Sequence, residues 1–189
     1  MIRKVCLAAL VVLLSVGCTS HFITDQEYLD KVEQDFAGRD SVMKASGISL
    51  ETMGLKQDEL EAMKFLYAYM PLGDIVNQEF EYFLDSYRLT KKALAQMPWG
   101  KSVPEREVRH FVLPVRVNNE NLDASREVFF EELAPRIKNM SMKDAVLEVN
   151  HWCHEKAIYM PSDRRTSSPL ATVKTAYGRC GEESTLLVA

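Results

Sequence analysis

Between residues 56 and 97 the apolar side chains recur at spacings of three and four, and no other feature constrains the fold as much. Leu60, Met63, Tyr67 and Met70 fall on one face over 56–70. After the break "MPLGD", Val76, Phe80, Phe83, Tyr87, Leu94 and Met97 mark a second face. A period near 3.6 commits such residues to helices, because a strand needs strict alternation. Asp74 is placed to cap the second helix, and Pro98-Trp99-Gly100 to end it. A stripe of methionines and aromatics at this period could line a cleft, but it more often fills a core, and the core reading is preferred.

The remaining segments repeat the helical signal more weakly. Tyr28, Val32 and Phe36 predict a short helix over 25–36. Residues 37–55, with glycines at 38, 47 and 54, read as irregular, and so do residues 103–123, where Pro104 and Pro114 oppose a long helix. "ASREVFFEELAPRIKN" resumes helix, with Pro135 kinking or dividing it. Ser141 and Asp144 form a capping-box pattern whose helix should run to about Tyr159, with Val146, Val149 and Cys153 facing inward. Pro169 opens another short helix that Gly178 should stop. No repeat and no persuasive set of strands is present, so the fold class expected is mainly α.

The first residues have the layout of an export signal. Arg3 and Lys4 precede an apolar run over 5–14, and small residues lead to Cys18 in "SVGC". The run is shorter than the roughly 20 apolar residues a membrane span needs. Cleavage before Cys18 and lipid attachment to it would anchor the chain to a bacterial envelope membrane, with residues 18–24 as a tether. Ser15 stands where such motifs usually carry Leu, so ordinary cleavage or an uncleaved anchor stays open. The 189-residue chain has a net charge of −4 and no basic run, which argues against nucleic acid as a partner. Beyond Cys18 only Cys153 and Cys180 remain, and a core of this size needs no disulfide as a staple.

Cys180 lies in "YGRCGEESTLLVA", between two glycines and a helix-like run. A thiolate is favoured at a helix start, where unpaired N–H groups and the dipole attract negative charge. Gly178 is expected to take a positive φ, and Gly181 to leave the sulfur uncrowded. Glu182 and Glu183 suit a first turn, with Leu186 and Leu187 inward. Ser184 shares the cysteine's face and would let it pack closely against a neighbour. Two adjacent carboxylates oppose a thiolate, so activation needs an imidazole. Without one, such a cysteine is usually a small buried residue. His21, His110, His151 and His154 are available. "HWCH" puts His151 and His154 on one helix face, but Cys153 is rotated away, so no metal and no cofactor are expected. Arg164, Arg165 and Arg179 could attract acidic substrate groups, although a solvated loop is the preferred reading.

The stretch "SSPLATVKTAYGRCGEESTLLVA" resembles the nucleophile segment of the transglutaminase-like superfamily, the papain-type group of cysteine enzymes. Gly178, Cys180, Ser184 and Leu187 match its Gly-x-Cys turn and the helix beyond it. With "LEVNHWCHEKAIYMPSDRRT" in front, it is similar to lipid-anchored members from bacteria of the Bacteroidetes type. The resemblance implies that residues 141–189 begin an α+β core behind a helical region over 25–140. In that family a catalytic His, then Asp or Asn, lies on strands after the nucleophile helix. Those strands do not appear here before Ala189, so the resemblance implies a front portion whose sheet is missing. Such a portion would be inactive alone, whereas full-length relatives would hydrolyse amides or transfer acyl groups on a protein or peptide substrate. The alternative is a non-catalytic, α-helical envelope lipoprotein that binds a partner. The sequence sets no oligomeric state.

Overall fold

The computed structural model describes residues 20–161 and 165–189. The expected signal segment, Cys18 and Arg164 lie outside the described residues. In chain order the helices are α1 (Gln26–Ala37), α2 (Asp40–Ala45), α3 (Gln57–Tyr69), α4 (Leu72–Asn77) and α5 (Phe80–Gln96). A single turn, α6 (Glu105–Glu107), then runs into a π-helical turn at Val108–Val112. Beyond it come α7 (Ser125–Ile137), α8 (Met142–Lys156), α9 (Pro169–Thr175) and α10 (Cys180–Val188). Strands β1 (Ile158–Tyr159) and β2 (Tyr177–Gly178) pair in parallel, with Ile158 opposite Tyr177. The molecule is mainly helical, as the periodicity predicts.

The stripe over 56–97 is core. Met63, Tyr67 and Phe83 are wholly buried, and Phe83 meets the Tyr67 ring edge-on at 5.6 Å. Helix α1 lies along α3 and contributes Val32 to the same cluster. Each large apolar side chain buried this way stabilises the fold by about 1.5–3 kcal/mol relative to exposure. Val76 departs from the pattern and faces solvent.

Residues 22 and 23 correct the expected tether. Phe22 and Ile23 are buried in this core, with Phe22 edge-on to Tyr87 at 5.5 Å. Their backbone N–H groups donate to one oxygen of Glu61 at 2.7 and 3.0 Å. Gln57 and His21 bind the other oxygen at 2.8 and 2.7 Å. A carboxylate on the inner face of α3 therefore fastens residues 21–23 to the core. The tether reading went wrong because two apolar residues among polar ones carry no detectable period.

Other boundaries also move. Asp74 does not cap a helix: it sits inside α4, buried, and accepts two hydrogen bonds from Arg116 at 2.5 and 2.6 Å. Residues 40–45 and 105–112, read as irregular, are helical. Pro104 immediately precedes α6, a place where proline favours helix entry rather than opposing it. Helix α7 passes through Pro135, two residues from its end, without dividing.

A second, smaller cluster gathers Phe129, Trp152, Ala157 and Leu186. The Phe129 and Trp152 rings meet at 4.9 Å, and the indole N–H donates to Glu132 at 2.9 Å. Helix α7, grouped with the N-terminal region in the sequence, thus supplies part of the C-terminal core. The inward face of α8 is Ala145 and Trp152, with Cys153 half-buried, whereas Val146 is exposed. The helix stops at Lys156 rather than Tyr159 because Ile158 and Tyr159 are taken up by pairing with β2.

Candidate functional site

The segment around Cys180 is assembled by short-range geometry. Helix α9 has Pro169 in its first turn and ends at Ala176, whose φ of 58° is left-handed. The positive φ expected at Gly178 therefore falls two residues earlier, on an alanine, where it closes the helix with an N–H bond to Thr172 O at 2.9 Å. Ile158 N then donates to Ala176 O at 3.1 Å, and Met160 N to Gly178 O at 2.8 Å. Gly178 is required for space instead: a Cβ there would lie 2.7 Å from the Glu182 Cβ.

Cys180 is the first residue of α10 and is exposed. Arg179 before it is extended, and its N–H donates to Glu182 Oε2 at 3.2 Å. Glu182 Oε1 accepts from Ser167 N at 2.9 Å. This carboxylate is buried, and burial alone would raise its pKa. The backbone N–H bonds, with the charge of Arg179, outweigh burial and hold the pKa below the usual range. Glu182 thus fastens the loop over 165–168 to the helix start. The glycine at 181 serves the same closure, since a Cβ there would meet Thr166 Oγ1 at 2.9 Å. It makes room for that loop rather than for the sulfur.

The face shared by Cys180 and Ser184 is open. Ser184 is exposed, and its hydroxyl donates back to Cys180 O at 2.7 Å. The close packing expected on this face is not made among the described residues. On the opposite side Thr185 and Leu186 are buried, while Leu187, expected inward, is exposed. The two thiols differ in exposure. Cys153 is half-buried, and burial pushes its thiol up to about 11.

Three of the four histidines are engaged elsewhere. His21 Nδ1 sits against Glu61, His110 Nε2 is 3.4 Å from the Tyr28 hydroxyl, and His151 Nε2 is 3.1 Å from Glu155. His154 is exposed on α8. Among the described residues none of these imidazoles hydrogen-bonds to Cys180. Nor do three His, Cys, Asp or Glu side chains gather there as metal ligands. Arg165 is exposed but not free: it donates to the carbonyls of Asn119 and Glu120. Arg179 lies 3.3 Å from Glu182. Sequence reasoning placed Glu182 in the first turn but missed its clamp role. The available signal was its position three residues after Arg179, where an acid reaches back to the N-cap amide.

No family model matches the chain, and neither a curated protein nor a solved structure does.

Proposed function

We propose that residues 158–189 form the nucleophile arm of a cysteine-dependent acyl-transfer or amide-hydrolysing protein of the transglutaminase-like kind. One observation carries the reading: Cys180 is exposed at the first position of a helix whose start is held by a buried carboxylate and a parallel strand pair. The thiolate would attack a peptide or side-chain amide carbonyl, forming a C–S bond, while the first-turn N–H groups of α10 face the developing oxyanion. Collapse of that adduct breaks the C–N bond. The leaving nitrogen takes a proton from an acid, and water or an amine then releases the acyl group from sulfur. None of the described histidines is placed to serve as that acid and base, so the chemistry calls on an imidazole from outside them. The same reading keeps Cys18 as the lipid-attachment site and the envelope membrane as the location. No helix among the described residues is long and apolar enough to cross a membrane.

The test is acylation by p-nitrophenyl acetate, followed by intact mass and peptide mapping. The expected result is one acetyl group on Cys180 without continued turnover, faster than on a free peptide spanning 176–184, and none in Cys180→Ala. Cys153 should stay unmodified until the chain is denatured. Acetylation no faster than in the free peptide would overturn the nucleophile assignment. Sustained turnover that disappears in Cys180→Ala would show that the base lies within this chain.

A further inference from the structure

A cavity of about 470 Å³ opens between α1, α3, the start of α4 and the π-helical turn, remote in sequence from Cys180. Tyr28, Phe65, Tyr69, Met70, His110 and Val115 are among the residues of its wall. Its volume lies in the range of small-molecule sites, and its walls are apolar with a few polar groups, the usual composition of such sites. The aromatic rings are arranged edge to face. Phe65 meets Tyr69 at 5.1 Å and His110 at 5.5 Å, and Tyr28 meets His110 at 6.1 Å. The wall is thus already built in the geometry that aromatic side chains adopt around another ring.

The π turn is a second, independent observation. Such turns are rare and concentrate at functional sites. Here the turn sets His110 into the cavity wall while burying Arg109, whose Nε has no hydrogen-bond partner. Among the described residues the turn thus tolerates a buried unpaired donor while presenting an imidazole whose hydrogen-bond contact is the long 3.4 Å approach of Tyr28.

Charge decides the class of ligand. Lys31 at the mouth is paired with Asp35 at 2.7 Å, and Arg116 is held by both oxygens of Asp74. An anion would have to break these pairs. A cation would find the nearby carboxylates of Asp35 and Asp74 already taken by the same pairs, and the Tyr28 ring already carries the Arg109 guanidinium at 4.4 Å. A neutral molecule meets neither obstacle. We propose that this cavity binds a neutral, flat aromatic molecule, its ring packed among Phe65, Tyr69 and Tyr28 and a hydrogen-bonding group facing His110. The assignment is independent of the cysteine chemistry.

The experiment titrates indole into the full chain carrying labelled Met, Leu and Val methyl groups, read by NMR. The expected result is saturable shifts at Met70, Leu66 and Val115, with a dissociation constant on the order of 1 mM or tighter. Benzoate and phenyltrimethylammonium should bind at least about tenfold more weakly. Val115→Trp should fill the cavity and abolish the shifts at Met70. Lys31→Trp, at an exposed position, plugs the mouth without touching the core and should weaken binding as well. Absence of saturable shifts at Met70 and Val115, or binding unchanged in both variants, would overturn the site. Shifts confined to Met97, Leu186 and Leu187 would place indole in the groove beside α10 and overturn it equally. Tighter binding of either charged probe would overturn the ligand class.

Discussion

Helices α1, α3 and α5 and the helices from Ser125 onward are built from similar side chains at the same period, yet they cover them to different degrees. In the first region α1, α3 and α5 turn their apolar faces on one another, and Val32, Met63, Tyr67 and Phe83 lose all contact with water. Its buried acids are all engaged. Asp58 accepts from Tyr87 and Lys91, Glu59 from Arg88 and the Lys56 amide, and Glu61 from His21, Gln57 and two amides. In the second region Trp152 and Phe129 anchor a small cluster, while Val146, Leu147, Ile158, Tyr159 and Leu187 remain 43–61% exposed. The difference teaches that a helix face is buried only when another element arrives to meet it. Pattern proposes the face, and topology decides whether it is covered.

The largest expected effect compares the two anchors. Phe83→Ala and Trp152→Ala should each cost about 3–5 kcal/mol locally, the usual range for emptying an aromatic site. Phe83→Ala should lower the urea midpoint of the whole chain. Trp152→Ala should instead accelerate amide exchange in α8, α9 and α10 while leaving α3 and α5 protected. Uniform acceleration in both variants would break the comparison and make the two clusters one cooperative unit.

An intermediate effect tests the buried acids. Burial is the strongest influence on Glu61 and would raise its pKa, but its hydrogen bonds outweigh it and hold the carboxyl below the ordinary value. Asp58 and Glu59 are held low by the same balance. A lowered folded pKa means stability that is fully present above the unfolded value, near 4. It is lost as pH falls through that value toward the folded one. Glu61→Gln should cost about 2 kcal/mol at neutral pH and make the acid limb of the stability curve shallower. Urea titrations between pH 2.5 and 7 measure both quantities. An unchanged acid limb would show that Glu61 does not set it.

The smallest expected effect lies beside the cysteine. Gly178→Ala should cost about 1–2 kcal/mol, because its Cβ must displace the start of α10. The loss should appear first as faster exchange of the Met160 amide, which donates to Gly178 O. No change there would mean that the Glu182 side of the turn gives way easily.

Legibility in the sequence followed the same division. The 56–97 stripe can be read because its apolar residues, Val76 excepted, face a partner. Val146 and Leu187 obey the same period and mislead, because the described residues cover them only in part. The helix before α10 was foreseen from Pro169, but its left-handed end at Ala176 was not, since alanine gives no signal for that conformation. The roles of Gly178 and Gly181 were misassigned for a related reason: both are set by close approach, which local sequence does not encode. Asp74 reads as a cap by position, and only its distant partner Arg116 reveals otherwise. Cys180 at a helix start was legible from its glycines and acids. The cavity was not, because Tyr28, Tyr69 and His110 converge from three separate segments.

The buried Phe22–Ile23 pair has a mechanical consequence. A load applied at Ser20 would pass within three residues to the inner face of α3, through two amides clasped by one carboxylate. Force would enter through the most deeply buried cluster of the molecule rather than through the cysteine end.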